Sequence, residues 1–174
     1  MNSIVILCGG NSCGKTTTMR SFFKIKDGTP SPDSYVERKF EGKIICAVSF
    51  GSPQEQSPFC NVARVQENIQ RRIDECNEKA TSKPYILIIP FTMSGSRTQK
   101  KKINKECILN PISELTRNFK VYIIYLRKMN AHHLTEKDDL MKDRAIDTIM
   151  TTKDDYDKSN ELEKSLKEKI LPKL

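Results

Sequence analysis

Histidine is scarce in this chain: only His132 and His133 occur, side by side. Two adjacent imidazoles leave no Ser-His-Asp or Cys-His arrangement to argue for, and no third ligand stands at a useful spacing for a metal. The six cysteines, Cys8, Cys13, Cys46, Cys60, Cys76 and Cys107, include no C-x-x-C pair and match no zinc spacing. They are expected to be free thiols in a reducing compartment, with Cys46, Cys76 and Cys107 standing where small apolar residues would pack. No apolar run reaches the length of a transmembrane helix, so no membrane partner is expected. No basic leader precedes the first apolar run, which points to a cytoplasmic protein. Internal repeats and linker-like stretches are missing too, so the 174 residues read as one domain, 1–174, ending in a charged helical segment, 134–174.

What is present is charge and short apolar runs. Lys and Arg number 30 against 22 Asp and Glu, a formal charge of +8, which suits a protein that meets anions. A 37% hydrophobic share beside 30% charged residues is enough for a core. Residues Ile4–Cys8 are continuously apolar, as in a strand covered on both faces, and Pro84–Phe91 and Lys120–Leu126 read as two further apolar strands. Tyr35–Phe40 and Lys43–Phe50 flank Glu41-Gly42, a hairpin signal. Residues Lys15–Phe23 read as a helix. Val62, Val65, Ile69, Ile73, Cys76 and Ala80 stripe another behind an Asn61 cap, with Arg64, Glu67, Arg71 and Arg72 on its outer face. The run "RTQKKKINKE" reads as helical, with Pro111 expected to end, kink or restart it. Two charged tail segments, one holding Leu140, Met141, Ile146, Ile149 and Met150, the other Leu162, Leu166 and Ile170, read as surface helices. Strands alternating with helices predict an α/β domain with a mostly parallel sheet and an antiparallel hairpin at its edge.

Between the first strand and the first helix stands "GGNSCGKT", Gly9 to Thr16, which fits G-x-x-x-x-G-K-[ST] without mismatch. Glycines let backbone N–H groups close around phosphate oxygens, and the helix that follows presents its positive end. Lys15 supplies a point charge for the β- and γ-phosphates, and the Thr16 hydroxyl a ligand for Mg²⁺. On these residues the chain resembles the P-loop NTPase superfamily, and is similar to small nucleotide kinases and to small GTPases. The resemblance implies a three-layer P-loop fold. It implies a nucleoside triphosphate, ATP with GTP not excluded, held with Mg²⁺ by Gly9, Gly10, Asn11, Ser12, Cys13, Gly14, Lys15, Thr16 and Thr17. Thr17 and Thr18 either contact phosphate or cap and pack. Cys13, inside the loop, is either a spectator or a thiol whose pKa the loop lowers.

The chain departs from the family pattern further on. The strand "YILIIPF" is followed by Thr92, where an acid that orders Mg²⁺ would be expected. Asp33, Glu37 and Glu55 are the nearest substitutes by position. The resemblance to kinases makes Asp33 a catalytic or substrate carboxylate; a turn aspartate is the plain alternative. The GTPase likeness fails where Val48-Ser49-Phe50-Gly51 lacks an aspartate, and Thr152-Lys153-Asp154-Asp155 stands too far from the last strand to read guanine. Arg97, Lys100, Lys101, Lys102 and Lys105 form a basic run. Arg97 is the candidate lid arginine that stabilises the moving phosphate, with a solvated helix face as the alternative. An acidic or nucleotide second substrate would suit the run. Nucleic acid is less favoured, because no aromatic interleaves it. The expected function is Mg-dependent triphosphate binding with phosphoryl transfer or hydrolysis, kinase-like, with Lys15, Arg97 and Asp33 in the catalytic set. The alternative is a GTPase-like switch or binding subunit with weak hydrolysis.

Overall fold

The computed structural model describes residues 1–9, 14–26, 29, 34–54, 61–92, 106–126, 146–150 and 160–174. Strand β1, Ser3–Gly9, is buried along its whole length. Its side chains alternate between two cores, Ile4, Ile6 and Cys8 facing one and Val5 and Leu7 the other. A strand with no polar face needs a neighbour on each edge and a layer on each face, and it has all four. Strand β4, Tyr85–Thr92, runs parallel to it from Ser3↔Ile86 to Gly9↔Thr92, and β5, Lys120–Tyr125, lies parallel on its other edge.

The hairpin forms as its turn residues predict. Strands β2, Tyr35–Phe40, and β3, Lys43–Val48, pair antiparallel around Glu41 and Gly42, both at positive φ. β3 then pairs parallel with β4. Strand β6, Ile146–Met150, closes the far edge parallel to β5. This corrects the expectation of a surface helix there: Ile146, Ile149 and Met150 stand in a strand whose pairing with β5 overrides the helical spacing. The sheet order is β2-β3-β4-β1-β5-β6.

Helices α2, Val62–Lys79, and α3, Glu106–Leu115, cover the Ile4 face. Asn61 caps α2, its side chain accepting from the Arg64 N–H at 3.3 Å. Pro111 neither ends nor restarts α3 but lies inside it, buried with Ile108 and Ile112. Helix α1, Lys15–Phe23, packs Met19, Phe22 and Phe23 on the Val5 face. Beside it lies α4, Glu161–Ser165, extended by a π turn over Leu166–Ile170 and a 3-10 turn over Leu171–Lys173. Leu162, Leu166 and Ile170 supply its apolar stripe, and an Arg38–Glu163 ion pair ties it to β2. The result is a three-layer α/β sandwich of Rossmann-like architecture, its sheet mostly parallel with one antiparallel hairpin. Among the described residues no helix is long and apolar enough to cross a membrane.

Candidate functional site

The strand order fixes where a ligand can sit. From β1 the chain builds β2, β3 and β4 on one side, then crosses to β5 and β6 on the other. In an open α/β sheet the crevice at such a reversal, beyond the carboxyl ends of the strands, is the ligand position. Gly9 ends β1 at this point, and α1 starts six residues later, at Lys15.

Gly14 precedes α1 at φ 90°, a left-handed conformation that glycine adopts without strain. The first turn of α1 has no side-chain cap and no acidic residue, so the positive end of the helix is not neutralised from within. Lys15 is 8% exposed, and its ammonium donates to the Gly9 carbonyl at 3.0 Å, spanning the base of the loop. Thr16 and Thr17 are exposed, whereas Thr18 is fully buried and packs. Gly10, Asn11, Ser12 and Cys13 lie outside the described residues. So do Asp33, Glu55, Arg97, the lysines of the basic run, His132, His133 and the stretch Thr152–Asp155.

The strand beside the loop ends in hydroxyls. Thr92 pairs in register with Gly9, and its Oγ1 is 2.9 Å from the Ser52 Oγ, both groups buried. Ser52 belongs to the turn that leaves β3, so this contact joins the ends of β3 and β4 next to β1. Glu37, a substitute acid by sequence, is engaged elsewhere: it accepts from the Tyr35 hydroxyl and from Thr81 N and Oγ1. Burial raises its pKa, but these hydrogen bonds outweigh burial and hold it below the ordinary carboxylate value.

Two residues near this edge escaped sequence reasoning. Arg72, expected on the outer face of α2, is instead 0% exposed. Its Nε donates to the Asn68 side chain at 2.8 Å, and its terminal nitrogens to the carbonyls of Gly51 at 2.8 Å and Ser49 at 3.5 Å. Burial, and then the charge of Arg71, push its pKa down to about 10, so it stays a cation at neutral pH. It fixes the turn in which Ser49 holds φ +67°. Its place in the apolar stripe, three residues after Ile69 and four before Cys76, was the available signal, overridden by its charge. Gln54, in the same turn, is 2% exposed, and neither polar atom of its amide has a partner. No sequence signal marks it.

Cysteine placement also needs a correction. Cys8, Cys46 and Cys76 are buried and in no disulfide, but Cys107 is disulfide-bonded, its partner sulfur outside the described residues. A groove of about 370 Å³ runs between α2 and α3, lined among others by Gln66, Ile69, Ile73, Pro111 and Leu115; neither Gly9 nor Gly14–Thr17, the described residues of the loop, is among its lining. Among the described residues no three His, Cys, Asp or Glu side chains are grouped to hold a metal. Comparison with family models, curated proteins and solved structures found no match to this chain.

Proposed function

We propose that the chain is a P-loop nucleotide-binding domain that holds a nucleoside triphosphate, ATP in the first instance, at Gly9–Thr17 for phosphoryl transfer or hydrolysis. The observation that carries this reading is the Lys15 ammonium, nearly buried at the uncapped first turn of α1 and bonded to the Gly9 carbonyl where the strand order reverses. A lysine held against a carbonyl can turn to a phosphate oxygen, exchanging one hydrogen bond for a charge-assisted one.

The donor set also suits Mg²⁺ bound through the triphosphate. Thr16 stands exposed in the first turn, and the metal would supply charge neutralisation between the phosphates. The protein's part would be to bind and orient: backbone N–H groups and Lys15 would hold the phosphates, and the Thr16 hydroxyl would be the side-chain ligand available to the metal. Thr92 and Ser52 offer neutral oxygens where a carboxylate would be stronger. That observation favours the second reading, a nucleotide-dependent switch or binding subunit with slow turnover. Assistance by Arg97 and orientation of an acceptor by Asp33 remain parts of the kinase-like reading.

Calorimetry with ATP and GTP in magnesium buffer tests binding. Lys15→Ala is expected to weaken it about 10- to 100-fold, since a charge-assisted hydrogen bond contributes roughly 1.5–3 kcal/mol. Binding of neither nucleotide, or equal affinity in the variant, would overturn the proposal. Product formation from labelled ATP, with and without nucleotide acceptors, separates the two readings: turnover favours the kinase, and tight binding without it favours the switch.

A further inference from the structure

Cys46 and Cys76 make a feature separate from the phosphate loop. Cys46 stands in the middle of β3 and Cys76 in the last turns of α2, 30 residues on. Both are fully buried and neither is in a disulfide. Their sulfurs are 3.2 Å apart, facing each other across the helix–sheet interface. A disulfide needs about 2.05 Å, so the two must close by roughly 1 Å. The hydrogen bond that Cys46 donates to the Cys76 sulfur, and then burial, raise the Cys46 thiol well above its ordinary pKa, which keeps Cys46 protonated at rest.

We propose that Cys46 and Cys76 form an oxidative modification site, in which a small hydroperoxide converts the thiol pair to a disulfide that pins α2 to β3. The co-reactant must be small, because neither sulfur is open to solvent. One sulfur, as thiolate, attacks a peroxide oxygen. The O–O bond breaks, the sulfur becomes a sulfenic acid, and the departing oxygen takes up the thiol's proton as water or an alcohol. The second sulfur attacks the sulfenic sulfur. The S–O bond breaks, and the hydroxyl leaves as water with the second thiol's proton. The two thiols lose two electrons and the peroxide gains two. Cys76 follows Arg72 by one turn on the same face of α2, so the bond would pin the helix one turn from where it holds the Ser49 and Gly51 carbonyls.

The test exposes the folded full chain to hydrogen peroxide, alkylates remaining thiols, digests without reduction and maps linked peptides by mass spectrometry. The expected result is a peptide pair joined through Cys46 and Cys76, two hydrogens lighter than its parts and separated by dithiothreitol. A raised urea midpoint of the oxidised protein should accompany it, because the bond closes a long loop in the unfolded chain. Cys76→Ser and Cys46→Ala should each abolish the midpoint shift, circular dichroism reporting which variant keeps the fold. The linked peptide in the unaltered chain decides the matter should both variants unfold. Both thiols unchanged, separate sulfinic acids at the two positions, or a link that forms only in urea would overturn the proposal.

Discussion

Arg72 illustrates how far a residue's chemistry departs from its sequence neighbourhood. Four charged residues of α2 look alike in sequence, yet this one is enclosed and bonds three oxygens of the molecule's own. Arg72→Ala removes those donors and opens a cavity, so it is expected to cost about 3 kcal/mol, measured by urea unfolding. Gln54 is the opposite case. Its amide is buried without partners, so Gln54→Leu, similar in size and apolar, is expected to raise stability by about 1 kcal/mol in the same assay. A lowered midpoint would mean that the amide has a partner in solution. Neither residue could be found from pattern alone, because burial of a single polar side chain is decided by elements distant in sequence. The place of Lys15 could be found, since it follows from immediate neighbours: an apolar strand, glycines and a helix start.

Elements were legible where local chemistry and pairing agree. α1 and β2 match their expected bounds, and Asn61 caps α2. The Glu41-Gly42 turn announces itself, although Glu41 is an unusual choice at φ 47°. Glu41→Asn, which tolerates that conformation, is expected to add about 0.5 kcal/mol, with Gly42→Ala costing about 1 kcal/mol. A Cβ at Gly42 would meet nothing within 4 Å, so the second figure isolates backbone strain, and thermal melts of both variants check the pair. β6 was misread because its apolar residues also suit a helical spacing, and only pairing with β5 decides. Pro90 is tolerated near the end of β4 because the ladder with β3 stops at Leu87, so no bond to β3 is lost. Pro111 is accommodated within α3 at the loss of one helical hydrogen bond.

At the scale of the whole molecule, acid sensitivity follows from carboxylates that join separate elements. Glu37 ties β2 to Thr81 ahead of β4. Glu75, bonded by Lys79 and by the Tyr35 N–H, ties α2 to β2. Both titrate below the ordinary value of 4.5, Glu75 chiefly through the Lys79 hydrogen bond and Glu37 through its hydrogen bonds against burial. Their contribution is therefore complete above that value and lost as pH falls through the lower folded values. Urea midpoints measured from pH 6 down to pH 3 are expected to fall steadily below about pH 4.5. The central placement of β1 carries a different consequence, one of timing. Its two partners, β4 and β5, come from Tyr85 onward and Lys120 onward, so a chain emerging from a ribosome holds the first strand and its glycine loop long before either neighbour exists. The strand that opens the chain would thus be among the last to find its partners.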